Sequence, residues 1–229
     1  MKLGSRLSAL IAFVPRGTRV ADIGTDHAYL PIELVQKNIA ASAVAGDVHA
    51  GPYEAAKENV EGCGLEHKIS VRFGNGLAVL VPGEVDTAVI AGMGGSTIID
   101  ILRSQPAVTS SLKRLILQPM VGAAAVRRWL VANQWCIIDE MLVQDDGRLY
   151  EILVAEQGTS CELEPIMYHI GMKLWERKPE LLALHIDQLI AKVQRVLHEM
   201  AASHHAQQSP KFDEYTKRLK QLEAKRKCL

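Results

Sequence analysis

Cysteine is sparse in this chain, and the four present stand far apart. Cys63, Cys136, Cys161 and Cys228 form no CxxC pair. That excludes a zinc ligand set or a disulfide framework of the familiar spacings. Four reduced thiols in a cytoplasmic protein are expected, with no metal. Long hydrophobic runs are also missing. None approaches the roughly 20 residues that span a bilayer, so no membrane partner is expected. The apolar start MKLGSRLSALIAFVP is broken by Ser5, Arg6 and Ser8, and no small-residue cleavage site follows it. Leu3, Leu7, Leu10 and Val14 instead share one face of an amphipathic helix. Aromatic residues make up only 5% of the chain, so a site that stacks on a flat ligand has few side chains to use. No internal repeat occurs.

Net charge is absent too, but the zero conceals an asymmetry. Residues 1–165 carry 14 Lys and Arg against 19 Asp and Glu, a balance of −5. Residues 166–229 carry 12 against 7, a balance of +5. The basic end reads either as a docking surface for an anionic partner or as a solvated helical tail.

What is present is a strand–helix alternation up to about residue 157. Strands are expected at 19–23, 43–48, 69–73, 87–91 and 114–119, with helices at 30–36, 52–61 and 123–132. Pro31 and Pro52 sit in first helical turns, where a missing N–H leaves nothing unpaired. Short apolar strands between helices imply a parallel sheet covered on both faces. The rhythm then changes. WCIIDEMLVQ and RLYEILVAE flank Asp145-Asp146-Gly147, a hairpin signal. The expected fold is α/β and Rossmann-like, its mostly parallel sheet ending in an antiparallel hairpin. Such a sheet is the one class I S-adenosylmethionine (SAM) methyltransferases build.

Beyond residue 158 the strands stop. Ile186, Leu189, Ile190, Val193, Val196, Leu197 and Met200 recur at helical spacing, as do Phe212, Tyr215, Leu219 and Leu222. The polar stretch SHHAQQSP separates them as a loop. Two antiparallel helices forming a coiled-coil-like hairpin are expected, with Lys211, Lys217, Arg218, Lys220, Lys225, Arg226 and Lys227 on the outer face of the second. The expected division is residues 1–160 for the α/β domain and 161–229 for the helical hairpin.

The stretch VADIGTDHAYLP carries the chemistry. Asp22 ends the first strand, and Gly24 lets the chain turn and brings a ligand close to the backbone. The next helix aims its N-terminus into the crevice at the strand ends. A dinucleotide fingerprint uses three glycines to admit a diphosphate, but Asp26 and Ala28 occupy the later positions here. A carboxylate repels a diphosphate and attracts a sulfonium or an ammonium, so the turn favours SAM over NAD. Asp47, 23 residues past Gly24, ends the second strand, where it can accept from ribose hydroxyls. Asn75, between Gly74 and Gly76 after the third strand, can pair with an adenine edge. After the fourth strand, Ala91-Gly92-Met93-Gly94-Gly95 replaces the Asn/Asp/Ser-Pro-Pro-aromatic run of enzymes that methylate exocyclic amino groups. Its Gly94-Gly95 pair is expected to leave room and backbone N–H groups for a flat acceptor.

ADIGTDHAYLP, GDV, GNGL, AGMGG, LQP and DGRLYEI, in this order and spacing, resemble the bacterial tRNA (adenine-22-N1)-methyltransferases, the TrmK family. The resemblance spans essentially the whole chain. It implies SAM as methyl donor, S-adenosylhomocysteine as product, and N1 of an adenine in the tRNA D-arm region as acceptor. By position, Gly24, Thr25 and Asp26 would line the methionine part of SAM, with His27 beside them. Asp47 and Val48 would hold the ribose, and Asn75, Gly76 and Leu77 would surround the adenine. Gly92, Met93, Gly94 and Gly95 would border the methyl group and target base.

N1 of neutral adenine has a lone pair and no proton, so no strong general base is needed. Asp26 is the expected stabiliser of the growing positive charge. His27 and Tyr29 are expected to orient or stack on the flipped base. Arg6 is expected to reach the SAM carboxylate, and Asp22 to belong to the cofactor site. Lys217, Arg218 and Lys220 are expected to meet RNA phosphates. A monomer or weak homodimer is expected. Three rival readings stay open from the residues alone. They are a class I methyltransferase for a protein or small molecule, a non-catalytic SAM-binding module with a partner-binding hairpin, and an NAD-dependent oxidoreductase.

Overall fold

The structure is a computed structural model that describes residues 3–159 and 162–229. The expected free thiol at Cys161 and the first two residues lie outside the described residues. Cys63, Cys136 and Cys228 are free thiols. The chain divides into two compact units, residues 1–161 and 162–229.

The first unit opens with helix α1 (Ser5–Ala12), whose Leu10, with Val14 just beyond its end, is buried as the amphipathic spacing requires. Strand β1 (Thr18–Ile23) leads to helix α2 (Tyr29–Gln36), and β2 (Ala40–Asp47) to α3 (Ala50–Gly62). Next come β3 (Ile69–Phe73) and a short 3₁₀ turn at Gly76–Val79. β4 (Thr87–Gly94) is followed by α4 (Gly95–Ser104) and α5 (Pro106–Ser111). β5 (Arg114–Val121), α6 (Ala123–Ala132), β6 (Trp135–Asp145) and β7 (Arg148–Gln157) complete it.

The strands form one seven-stranded sheet in the order β3-β2-β1-β4-β5-β7-β6. β1 to β5 are parallel, and β7 inserts antiparallel between β5 and β6. Asp146 and Gly147 both take positive φ between β6 and β7, the backbone of a two-residue hairpin turn matched to strand twist. Apolar clusters cover both faces. Ile23, Ile90, Leu117 and Leu153 belong to one, and Val20, Val89, Ile116 and Val154 to the other. These strands alternate between two buried faces, as a doubly covered parallel sheet demands.

The observed elements are longer than the expected ones at several strand tips. β2 begins at Ala40 and stops at Asp47, which leaves Val48 beyond it and 47% exposed. β4 runs on through Gly94, where the sequence pattern placed a loop after Ala91. Helices α4 and α5 were not expected. Their segment starts in two glycines and ends in a serine- and proline-containing stretch, which masks the apolar periodicity of Ile98, Ile99, Ile101 and Leu102.

The second unit contains α7 (Met167–Ile170), α8 (Met172–Arg177), α9 (Leu182–Ala201), α10 (His204–Gln207) and α11 (Pro210–Lys227). The expected loop SHHAQQSP holds the single turn α10, capped by the Ser203 hydroxyl. Ser209 caps α11 in the same way. The two long helices run antiparallel. Arg226 near the end of α11 donates to both carboxylate oxygens of Asp187 near the start of α9, at 2.7 and 3.2 Å. This corrects the expected outer face: Arg226 bonds α9, Lys225 pairs with Glu164 over the Trp175 ring, and Arg218 pairs with Glu214 and lies over Tyr215. Lys217 and Lys220 remain exposed.

No helix among the described residues is long and apolar enough to cross a membrane. No group of three or more potential metal ligands occurs among them.

Candidate active site

The carboxyl ends of β1, β2, β3 and β4 lie side by side because these strands are neighbours and parallel. Backbone hydrogen bonds tie the tips together. Gly24 and Thr25 donate to the Gly46 carbonyl at 2.8 and 3.1 Å, and Gly74 donates to the Asp47 carbonyl at 2.9 Å. A cleft of about 190 Å³ opens beside β1, lined by Arg6, Leu7, Leu10, Asp22, Gly24, Thr25, Asp26, His27, Tyr29, Leu30 and Ala91. The fold therefore brings Arg6 from the amphipathic helix α1 to the glycine turn. Asp47, Val48, Asn75, Gly76, Leu77 and residues 92–95 lie at or just past the tips of the neighbouring strands and do not line this cleft, and Lys217, Arg218 and Lys220 lie on α11 in the second unit.

Gly24 is required by its backbone conformation, and the space beside it is taken by the movable end of Met93. Its φ is +80°, and a Cβ there would fall 2.0 Å from Cε of Met93, which reaches across from β4. Ala28 also takes positive φ, at 53°, just before α2. The loop is anchored from behind by Asn59 on α3, whose amide donates to the His27 carbonyl at 3.0 Å. The His27 and Tyr29 rings stack, with centroids 5.1 Å apart and planes 20° from parallel. His27 Nε2 lies 3.6 Å from Asp26 Oδ2, and the Asp26 side chain is 78% exposed.

The buried carboxyl of the cleft is Asp22, not Asp26. Burial pushes Asp22 up from 3.8 to about 6, and the negative charge of Asp47 adds to the rise. The Thr25 hydroxyl and the Arg6 guanidinium oppose it. Thr25 Oγ1 is itself buried without a well-formed hydrogen bond among the described residues, a polar atom with capacity left for a ligand. At the next tip, Asp47 is buried and its Oδ1 accepts from the His49 backbone N–H at 2.7 Å and approaches the His49 ring at 3.2 Å. Its Oδ2 has no protein hydrogen bond among the described residues. Asn75 is exposed and caps the 3₁₀ turn without using its side chain. Gly76 follows it, and Leu77 is wholly buried in the core.

The loop after β4 departs from its expected role at one residue. Gly95 is buried, and a Cβ on it would fall 2.7 to 3.0 Å from the backbone of Val121 and Gly122. The room it leaves is filled by the turn into α6, so Gly95 packs two helix starts together and offers no space to an acceptor. Gly92 and Met93 remain on the cleft side: Gly92 lies next to Arg6, and Met93 covers Gly24.

Three residues around Arg6 were given no site role by the sequence reading. Gln118 on β5 is fully buried, and its Oε1 accepts from Arg6 Nη1 at 2.9 Å and from Gly92 N at 3.1 Å. Asp145 at the hairpin tip accepts from the Ser5 and Arg6 backbone N–H groups and so caps α1. Tyr150 lies under the Arg6 guanidinium, 5.7 Å from ring centroid to Cζ. One signal was available, a glutamine inside the otherwise apolar strand RLILQPMV.

A parallel sheet in this order, closed by an antiparallel strand and with its polar cleft at the tips of β1 and β4, defines the class I methyltransferase fold. The family model for TrmK, tRNA (adenine(22)-N(1))-methyltransferase, matches residues 20–223. A curated relative, the tRNA (adenine(22)-N(1))-methyltransferase of Bacillus subtilis, is 45% identical over 158 residues, 69% of this chain. The matched stretch is 66% of that relative's length, a little under two thirds. The crystal structure of the Bacillus subtilis m1A22 tRNA methyltransferase TrmK superposes with a TM-score of 0.90 at 35% identity, covering 98% of each chain. A Streptococcus pneumoniae protein solved in complex with S-adenosyl-L-methionine gives a TM-score of 0.87 at 33% identity, covering 98% of this chain and 99% of its own. The chain belongs to the TrmK family.

Proposed function

We propose that this protein transfers the methyl group of SAM to N1 of an adenine in tRNA, at position 22 in the D-arm region, in the cytoplasm. The observation that carries the reading is the presence of Arg6 and the buried Asp22 in one cleft beside Gly24, in a chain of this family. An amino-acid end carries one carboxylate and one ammonium, and the cleft holds the Arg6 cation and one buried carboxyl, Asp22, that are not hydrogen-bonded to each other among the described residues, with the exposed Asp26 at its mouth. Asp47 leaves one carboxylate oxygen for the ribose, Val48 borders it, and Asn75 with Gly76 forms the adenine end; Leu77, fully buried, supports that turn from the core and does not face the ligand as expected. Thr25 Oγ1 supplies a further donor or acceptor beside the amino-acid part.

The N1 lone pair attacks the methyl carbon as the bond from carbon to sulfur breaks. The sulfur leaves as the neutral thioether of S-adenosylhomocysteine, and the positive charge passes to the adenine. No proton moves in this step, so the protein's work is alignment and electrostatics. Asp26, with His27 and Tyr29 at the cleft mouth, faces the incoming base. An exposed carboxylate is weakly felt in water, and its field on the cationic product grows once the flipped base excludes solvent. The stacked His27–Tyr29 pair offers a flat surface for that base. Met93 and Gly94 border the methyl position. Lys217, Lys220 and Arg218 on α11 contribute electrostatic attraction to the RNA backbone.

The test is incubation of the protein with labelled SAM and unmodified tRNA, followed by mapping of the modified nucleotide. Label at one D-arm adenine, with a block to reverse transcription there, is expected. The Asp26→Ala protein is expected to bind S-adenosylhomocysteine normally and methylate about tenfold or more slowly, in line with a charge-stabilising role. Label appearing in protein or small molecules and not in tRNA overturns the reading.

A further inference from the structure

We propose that Gln118 is a positioning residue that registers two ends of the reaction through one amide oxygen. It aims Arg6 at the carboxylate of the cofactor, and it holds the Gly92 turn that borders the methyl group. This inference rests on the SAM reading above and assigns a residue that reading does not use.

The pairing register of β4 with β5 runs regularly from Thr87↔Arg114 to Ala91↔Gln118, then slips, so that Met93 faces Pro119. Gly92 is the extra residue of this bulge, with φ at +77°. A bulged residue leaves the ladder, and its N–H needs another acceptor. Pro119, on the facing strand, has no N–H of its own to offer the next ladder step. The acceptor for Gly92 is the side chain of Gln118, directly opposite the point where the register breaks.

The same oxygen accepts from Arg6 Nη1. Both partners are donors, so the amide must present oxygen to them and cannot be reversed. Its nitrogen points to the thioether of Met120, 3.6 Å away, a weak acceptor that does not compete. A fully buried amide is held in one orientation by two donors from two different elements.

Arg6 is consequently restrained at three points. Asp145 accepts its backbone N–H at 3.2 Å, Tyr150 lies under its guanidinium, and Gln118 holds Nη1. None of these three neutralises it at the guanidinium, because its side-chain partners there are an amide and a ring. The edge formed by Nε and Nη2 has no hydrogen-bond partner among the described residues. That edge has the spacing that binds a carboxylate through two parallel hydrogen bonds. A carboxylate in place of Gln118 would neutralise the guanidinium, and an apolar residue would release it. A neutral acceptor fixes the direction of the arginine and leaves its charge for the ligand.

The experiment compares two ligands by calorimetry, S-adenosylhomocysteine and 5′-methylthioadenosine, which lacks the amino-acid end. Gln118→Met is expected to weaken S-adenosylhomocysteine about tenfold while 5′-methylthioadenosine stays within about twofold. Arg6→Met is expected to show the same split, and the double variant to be no weaker than Arg6→Met, since the two residues act as one unit. Gln118→Glu keeps both accepted hydrogen bonds, so it carries the test if the methionine variant fails to fold. Its added charge is expected to weaken S-adenosylhomocysteine at least fivefold and spare 5′-methylthioadenosine. Equal loss of both ligands, additive effects with Arg6, or unchanged binding overturns the proposal. A wild-type protein that binds neither ligand overturns the SAM reading instead, so the two failures are distinguishable.

Discussion

Two arginines in the first unit stand in opposite electrostatic situations. Arg127 on α6 is completely buried and donates to Glu140 at 2.6 Å and to Glu151 at 2.7 Å, joining the helix to β6 and β7. Burial alone lowers the affinity of Arg127 for its proton, but the two carboxylates outweigh it and hold the guanidinium charged beyond its ordinary range. Among the described residues Arg6 has a neutral amide and a ring against its guanidinium, and the buried carboxyl of the same cleft, Asp22, is held back from ionising by its own burial. Around Arg127 one cation and two carboxylates bond to one another inside the protein, and the cluster serves the fold. Around Arg6 the guanidinium and the Asp22 carboxyl lack direct ionic partners among the described residues, an arrangement that suits the zwitterion proposed above. Unmatched charge near a cleft marks function more reliably than the presence of charge does.

The largest effect that would break this contrast comes from Arg127→Met. It leaves two carboxylates without their cation, one of them almost fully buried, and is expected to cost about 3–5 kcal/mol of stability, or about 10 °C in melting temperature. Thermal unfolding followed by circular dichroism checks this. A variant that keeps its melting temperature and loses ligand binding would place Arg127 with Arg6.

Asp22 gives the next effect, of opposite sign. The folded protein holds the Asp22 proton more tightly than the unfolded chain, since its pKa rises from 3.8 to about 6. Its contribution to stability is therefore intact below pH 3.8 and lost as pH rises through about 6, a penalty on the order of 3 kcal/mol at pH 7. Asp22→Asn is expected to be more stable than wild type at pH 7.5, to lose that advantage at pH 4, and to bind S-adenosylhomocysteine more weakly. Urea unfolding of both proteins at the two pH values checks it. Identical pH profiles would show that Asp22 is not strained in the cleft.

The smallest effect concerns charges in neither situation, the solvated lysines of α11. Lys217→Gln with Lys220→Gln is expected to reduce the slope of log affinity for tRNA against log salt by about 2. Arg218→Gln is expected to change it less, because Arg218 already pairs with Glu214 and lies over Tyr215. Filter binding over a salt series reads both. An unchanged slope in the double variant would remove this face from the RNA contact.

Local pattern was enough to read much of the chain. Strand positions, the Asp-Gly hairpin, the N-terminal amphipathic helix and the two long C-terminal helices all follow from period and turn chemistry, which act over a few neighbouring residues. Gly24, Asp47 and Asn75 could be named because each sits at a strand end, and a parallel sheet must bring its strand ends together. The resemblance in ADIGTDHAYLP and AGMGG named the family for the same reason, as those residues form the tips.

Pairing across distance was not legible. Gln118 matters because a register slip 26 residues earlier in the chain strands one N–H opposite it. Asp145 matters because it caps a helix 140 residues away, and Gly95 because the turn into α6 fills the space beside it. Asp22 rather than Asp26 is the strained carboxyl because burial is a property of the assembled core. The sequence by itself determined most of the elements, the glycine turn at the end of β1 and the family. The tertiary structure decided which polar groups stay unmatched, because hydrogen bonds and burial depend on neighbours that the chain brings together only when it folds.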